Sequence, residues 1–225
     1  MLRLYTFHRS TAAYRVRIAL NYKQIPHEMV AINLVQSEQL TAEYRQQNPH
    51  GRVPTIVDDK VKIGQSAAIL EYLEEKYPEY PLLPVDIKAR AWLRYLSQII
   101  VSDMHPVMNN SSVMAYLKSK HEFNEQQVQQ WYFHWLEQGF DALEMNLRIH
   151  PDCQKFCFGE TPTIADVCLI PQIYNAHKYN FPMNRYPTLQ RIYEYCSTLD
   201  CFDKAKPENQ FDFSGITSSP SSRLR

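Results

Sequence analysis

The chain has 225 residues, 44% of them hydrophobic, and its 24 lysines and arginines balance its 24 aspartates and glutamates. This composition is typical of a packed protein with a sizeable core. A formal net charge of zero does not indicate binding to nucleic acid or to an anionic membrane surface. No apolar run approaches the ~20 residues of a membrane span and no targeting segment stands out at the start, so we expect a cytoplasmic protein without a membrane partner.

Strand and helix patterns alternate over residues 1–80. Short β-prone runs predict strands over 2–7, 27–34, 53–59 and 60–64. Helical spacing of apolar residues predicts helices from Ser10 onward, over 37–48 and over 65–78. The order β-α-β-α-β-β-α indicates a mixed sheet of four strands with helices packed on it.

The first of these helices has a periodic pattern. Val16, Ala19, Leu20 and Lys23 fall at helical spacing. The same pattern predicts that Arg15 and Arg17 are turned elsewhere.

Strand signals end after a proline-rich stretch at 76–86, which we interpret as a linker. Beyond it, periodicity predicts a long helix over 87–120, kinked near Pro106, and three more helices over 125–149, 163–179 and 187–199. We therefore expect domains at 1–80 and 87–206, the second all-helical. Residues 207–225 are polar and serine-rich, and we expect them to form a mobile tail.

Three helix starts carry polar residues with two possible roles. Ser10 and Thr11 suit an N-cap, but a hydroxyl at a positive dipole end can also stabilise an anion. Gln65 and Ser66 are a plain polar helix start or a site for a carboxylate. Thr163-x-x-Asp166 fits a capping box, to which we assign a folding role.

Several motifs together resemble the zeta class of the glutathione transferases. They are "STAAYRVRIAL" (10–20), "NPHGRVPTIVDD" (48–59), "QSAAILEYLEEKYP" (65–78), "DMHPVMNN" (103–110) and "FGETPTIADVCLIPQIYNA" (158–176). The resemblance spans about residues 1–200. It implies a thioredoxin-like first domain, an all-helical second domain, glutathione as cofactor and a homodimer.

The resemblance also implies how glutathione is held. Ser10 is the expected partner of its thiolate, with Thr11 in support. Val53 and a cis Pro54 are expected at its cysteinyl part, and Gln65 with Ser66 at its γ-glutamyl carboxylate. His50 and Arg52 flank this loop, and either could meet the glycyl end or be solvated.

The implied reaction is cis–trans isomerisation of maleylacetoacetate in phenylalanine and tyrosine breakdown, by reversible addition of the thiolate to the double bond. An acidic substrate needs cations, so we expect Arg9 first, then His105 and Lys178, to bind it, together with the neutral Asn109. The five cysteines contain no C-x-x-C pair, and we expect no metal site.

Three positions depart from the zeta pattern. Ala12 replaces a cysteine, so the protein has no thiol of its own at that spot. Ser112 and Lys178 replace arginines of related isomerases. The alternatives are a maleylpyruvate isomerase, a general glutathione-conjugating transferase, or a non-catalytic protein-interaction module of the same fold.

Overall fold

The predicted sheet is present in the computed structural model, which describes residues 1–213 except the side chains of residues 110 and 111. Its strands are β1 (Leu2–Thr6), β2 (His27–Ala31), β3 (Thr55–Asp58) and β4 (Val61–Gly64). They lie in the order β2-β1-β3-β4, with β1 and β2 parallel and β3 antiparallel to both of its neighbours. The mixed four-stranded sheet is therefore confirmed.

The helices of this region follow the prediction with one change. They are α1 (Thr11–Tyr22), α2 (Ala42–Arg45) and α3 (Ser66–Lys76). The helix expected over 37–48 is a 3₁₀ turn at Glu38–Leu40 followed by the single turn of α2.

The helical spacing predicted that the two arginines of α1 are turned elsewhere than the periodic residues. In the structure they point into the interior. Arg15 and Arg17 are 0% and 1% exposed, as deeply buried as Val16 and Leu20. Their burial is tolerated because the guanidinium groups donate to oxygen acceptors: Arg15 to Ser66, and Arg17 to three backbone carbonyls and Thr6.

The rest of the chain is helical. It contains α4 (Ile87–Gln98), α5 (Ala115–His121), α6 (Glu125–Ile149), α7 (Ile164–Lys178), α8 (Pro187–Ser197) and α9 (Asp200–Asp203). The single kinked helix predicted over 87–120 is wrong. After α4 the chain continues through a π-helical stretch at Ile99–Met104, turns at Pro106, and passes through a second π-helical stretch at Asn110–Met114 before α5.

The central helix α7 begins with the predicted capping box. Thr163 Oγ1 accepts a long hydrogen bond from Asp166 N, at 3.5 Å, and the Asp166 carboxylate accepts from Thr163 N at 2.8 Å and from Thr163 Oγ1 at 2.6 Å. The other carboxylate oxygen accepts from Cys157 N at 2.8 Å. Asp166 is completely buried, and this burial raises the pKa of its carboxyl group. Both oxygens of the Asp166 carboxylate thus accept hydrogen bonds within the protein at this helix start.

Close packing and a second carboxylate organise the other helices of this region. A Cβ on Gly139 of α6 would overlap the side chain of Met104, so glycine lets Met104 pack directly against α6 in its present position. Glu144 of α6 accepts hydrogen bonds from Thr188 N and Leu189 N, both at 3.1 Å, and so caps the start of α8.

The described chain forms two compact units. One comprises residues 1–69 together with the chain from Asp200 onward, and the other comprises residues 70–199. The boundaries at 1–80 and 87–206 stay a prediction, since these units group the chain differently. Within residues 1–213, no helix is long and apolar enough to cross a lipid bilayer.

The start of the expected mobile tail is ordered. Pro207–Asn209 forms a 3₁₀ turn, and Asp212 is hydrogen-bonded to His8 in the first unit. This segment is held because its polar groups find partners in the fold. The remainder of the predicted tail, 214–225, lies outside the described residues.

Candidate active site

Ser10 occupies the N-cap of α1. Its Oγ accepts a hydrogen bond from Ala13 N at 3.2 Å, and its own N–H donates to the carbonyl of Phe7 at 2.9 Å, which closes a turn between β1 and α1. Capping is therefore confirmed as one of its roles. A capping hydroxyl uses a lone pair, so the O–H of this half-buried serine can still donate to another acceptor.

The charges around this helix start favour an anion. The first turn of α1 contains no acidic residue, so the positive end of the helix dipole is not neutralised locally. Arg9 precedes the cap and is exposed, while Thr11 is only 8% exposed. A thiol placed here would have its pKa lowered toward neutrality.

The loop before β3 is held by a small polar network. The carbonyl of Arg52 accepts from Tyr44 Oη at 2.6 Å and from Asn48 Nδ2 at 2.9 Å, and both side chains also reach Thr55 Oγ1. Burial raises the pKa of the Tyr44 hydroxyl, so Tyr44 stays a donor. Sequence reasoning missed this pair, because an Asn and a Tyr in a polar helix give no local signal.

This network fixes the peptide that follows it. Val53–Pro54 is cis, as the resemblance predicted, and Val53 is half-buried. His50 is exposed and donates its backbone N–H to Asn48 Oδ1 at 3.1 Å, while Arg52 is half-buried. The backbone of Val53 therefore has a defined position in the first unit.

The start of α3 is the second polar helix start of this unit. Gln65 adopts the left-handed conformation, with φ of 66°, immediately before Ser66, which is 4% exposed. Arg15 Nη1 donates to Ser66 Oγ at 3.2 Å. A buried cation thus lies directly behind a helix N-terminus, and both features favour a bound carboxylate.

Arg15 is a further residue that the sequence analysis missed as a site residue. It lies on α1, the helix that begins at Ser10, and it contacts the start of α3. A charged residue inside the otherwise apolar run "AAYRV" (12–16) was the available signal, since such a residue is rarely buried without a specific partner.

The remaining predicted substrate residues lie in the second unit. His105 is half-buried at the end of the π-helical stretch, and its backbone N–H donates to the carbonyl of Ile100 at 2.9 Å. Asn109 Oδ1 accepts from Ser112 Oγ at 2.9 Å, and Lys178 is exposed at the end of α7. The structure brings Ser10, Val53–Pro54 and Gln65–Ser66 into one unit, and a shared site with His105, Asn109 and Lys178 stays a prediction.

Comparison with known protein families gives matches in both halves of the chain. Residues 4–81 match the model of the glutathione S-transferase N-terminal domain, and residues 125–194 match that of the glutathione S-transferase C-terminal domain. A probable maleylacetoacetate isomerase of Vibrio cholerae is 41% identical over 211 residues, which are 93% of this chain and 97% of that protein.

Solved structures agree with these matches. A holo maleylpyruvate isomerase, described as a bacterial glutathione S-transferase of the zeta class, has a TM-score of 0.91 and 37% identity, covering 93% of this chain and 99% of its own. A maleylacetoacetate isomerase from Methylobacterium extorquens AM1, with bound malonate and glutathione, has a TM-score of 0.88 and 34% identity, covering 92% and 97%. The chain therefore belongs to the glutathione S-transferase family and, within it, to the zeta class.

Proposed function

We propose that this protein is a glutathione-dependent isomerase that converts maleylacetoacetate to fumarylacetoacetate. The observation that carries this proposal is the similarity to zeta-class isomerases along almost the whole chain, together with an N-capping Ser10 at an uncompensated helix start. A protein that only binds partners would have no need for this helix start, a fixed Val53 peptide and a cation behind Ser66.

The donor set fits glutathione. Glutathione is anionic, and the first unit presents two helix N-termini, each with a serine and each near an arginine: Arg9 before α1 and the buried Arg15 behind α3. When bound, glutathione supplies the thiolate that adds reversibly to the double bond of the cis acid.

The residues of the first unit then have separate tasks. Ser10 donates its O–H to the sulfur and, with the dipole of α1, keeps the thiol deprotonated, while Thr11 supports the same helix start. The backbone of Val53, ahead of Pro54, pairs with the cysteinyl part. Gln65 and Ser66 receive the γ-glutamyl carboxylate, and His50 and Arg52 are the candidates for the glycyl carboxylate.

The acidic substrate needs separate recognition. Arg9 is exposed next to Ser10, and its guanidinium can hold a carboxylate in a bidentate manner. His105, Asn109 and Lys178 are proposed to bind the rest of the diacid. Lys178 replaces an arginine fork by a point charge, and Ser112 donates to Asn109 instead of contacting a carboxylate as an arginine would.

Maleylpyruvate is the second candidate substrate. The solved maleylpyruvate isomerase has a TM-score of 0.91 with this chain, and the thiolate addition proposed here would also isomerise maleylpyruvate. General conjugation of glutathione to electrophiles needs only the thiolate and is the third possibility.

We further propose a cytoplasmic homodimer, which light scattering of the purified protein at several concentrations would test.

The deciding experiment follows the absorbance of both cis acids with purified protein and glutathione. We expect the trans product from maleylacetoacetate, with a larger kcat/KM than from maleylpyruvate. Glutathione should also raise the Tm of the protein. The absence of isomerisation of either acid, together with an unchanged Tm, would favour the interaction module.

A further inference from the structure

The loop between β1 and α1 is held by the far end of the described chain. The Asp212 carboxylate accepts a hydrogen bond from the backbone N–H of His8 at 2.9 Å, and the same oxygen lies 3.3 Å from His8 Nδ1. Both side chains are mostly sheltered, at 12% exposure for His8 and 11% for Asp212. Phe213 packs edge-on against the His8 ring, with centroids 5.7 Å apart.

Arg17 makes a second connection between the same two parts of the chain. Its guanidinium donates to the carbonyls of Phe7 at 3.3 Å and His8 at 3.1 Å, and on its other side to the carbonyl of Ala205 at 3.0 Å. Because the guanidinium is planar and fully buried, these three carbonyls are fixed relative to one another.

The connecting segment is itself firmly attached to α1. We call residues 200–213 the C-terminal brace. Tyr14 Oη donates to the carbonyl of Phe202 at 3.5 Å, and Asn21 Nδ2 donates to that of Cys201 at 3.2 Å. Within the brace, Gln210 Nε2 donates to the carbonyls of Lys204 and Lys206 at 2.8 and 2.7 Å. The brace can therefore transmit a fixed position to the loop.

We propose that the C-terminal brace positions Ser10 through His8, and that Asp212 is a positioning residue for the glutathione thiolate. This inference rests on the proposed function. The turn that presents Ser10 is closed by its hydrogen bond to Phe7, and Phe7 and His8 are the residues that Arg17 and Asp212 hold. A small displacement of this turn moves the O–H away from the sulfur, and misplacement of about 1 Å can cost up to about 100-fold in rate.

Charge and position predict opposite effects when Asp212 is removed. The titratable and charged groups at this contact are Asp212, His8, Arg17 and, next along the loop, Arg9. Loss of a negative charge alone would stabilise the nearby thiolate and lower the pKa of the bound thiol. Loss of positioning would instead raise that pKa, because the thiolate loses its hydrogen bond from Ser10.

The test uses the full-length chain and the ultraviolet absorbance of the thiolate of bound glutathione, titrated against pH. For Asp212→Ala we expect a higher pKa of the bound thiol and a kcat about 10-fold lower, with little change in the KM of the acidic substrate. Asp212→Asn retains an acceptor for the His8 N–H and should recover much of the loss in kcat without a rise in the pKa of the bound thiol. If Asp212→Ala does not fold, Asp212→Leu, which fills the same space without an acceptor, takes its place with the same expected result. Asp152→Asn is the matched control outside the brace, since Asp152 is exposed and its carboxylate lies 3.9 Å from Nδ1 of His150; it should leave both quantities unchanged.

A bound-thiol pKa that falls or stays constant in the variant without an acceptor, Asp212→Ala or Asp212→Leu, would overturn the proposal. So would a change of equal size in Asp152→Asn. If the wild-type protein binds no glutathione, the proposed function itself fails, and this inference with it. If the wild type binds glutathione and the pKa of the bound thiol is unaffected in the variants, only the proposed role of Asp212 is refuted.

Discussion

The starts of α1 and α7 are built from the same kind of residue and reach opposite results. Each is capped by a hydroxyl, from Ser10 in α1 and from Thr163 in α7. At α7 a buried Asp166 saturates the hydroxyl and two backbone N–H groups. At α1 no acid is present in the first turn, and the cap is half-buried. A capped helix start stabilises the fold when an acid fills it, and it can bind an anion when it is left open.

The largest expected effect comes from removing the carboxylate at the start of α7. Asp166→Ala leaves two backbone N–H groups and a hydroxyl without their acceptor in a fully buried region, and should cost about 3 kcal/mol in the free energy of unfolding. Urea denaturation measures this loss. The folded fraction should keep the wild-type KM for glutathione, and a large change in that KM would show that α7 is part of the binding site.

The second largest effect is expected from removing the N-cap hydroxyl of α1. Ser10→Ala should lower turnover about 100-fold, as loss of one donor to a developing or bound anion does, while glutathione binding is largely kept and stability falls by only about 1 kcal/mol. The matched control is Asn124→Ala, which removes the N-cap of α6. It should lose comparable stability and no turnover. If Thr11→Ala abolishes turnover and Ser10→Ala does not, the other hydroxyl is the catalytic one.

A third variant introduces an acidic residue at the start of α1. Ala12→Asp places a carboxylate in the first turn of α1, at a half-buried position. It should raise the pKa of the bound thiol and lower kcat/KM at neutral pH about 10-fold, because the negative charge opposes the thiolate. Ala12→Asn has nearly the same shape without the charge. An equal loss in both variants would point to crowding instead of electrostatics.

Arg9→Ala should act on the substrate and not on the thiol. We expect a several-fold higher KM for the acidic substrate and an unchanged pKa of the bound thiol. Steady-state kinetics at fixed, saturating glutathione measure the first, and thiolate absorbance measures the second. An unchanged kcat/KM would remove Arg9 from the substrate site.

The smallest effect concerns acid stability. Burial opposes ionisation of Asp212, but the hydrogen bonds and charge of His8 outweigh it and lower the pKa of the carboxyl group. A lowered folded-state pKa adds stability above the unfolded value of about 3.9, and this stability is lost as the pH falls through the folded value. Asp212→Asn should therefore be less stable than the wild type at neutral pH, and the difference should vanish in strong acid. A constant difference would mean that the charge contributes nothing.

Local patterns were enough to predict most of the fold. The order of strands and helices up to α3, the bounds of α6 and the capping box of α7 depend on periodicity and capping residues, which are local properties. Ser10, Val53 and Ser66 were predicted as site residues from motifs that the family shares, and their roles stay a prediction. The cis Val53–Pro54 peptide came from the resemblance alone.

The parts that could not be predicted depend on contacts between distant residues. Arg15 looked like an exposed charge, because nothing near it in sequence shows that Ser66 lies within hydrogen-bond distance. Composition suggested a mobile segment after residue 206, but Asp212 finds the His8 N–H more than two hundred positions away. A kink near Pro106 was expected, whereas the break of the helix there and the π-helical turns around it have no sequence signal.

The connection from Arg17 to Ala205 has a consequence for biosynthesis. A ribosome releases the first strand and helix long before it makes the residues that complete their surroundings, and amino-terminal domains generally fold first during synthesis. Here the buried guanidinium has no Ala205 carbonyl until nearly the entire polypeptide has emerged. The first unit consequently reaches its finished form only after translation of the helices that separate its two portions.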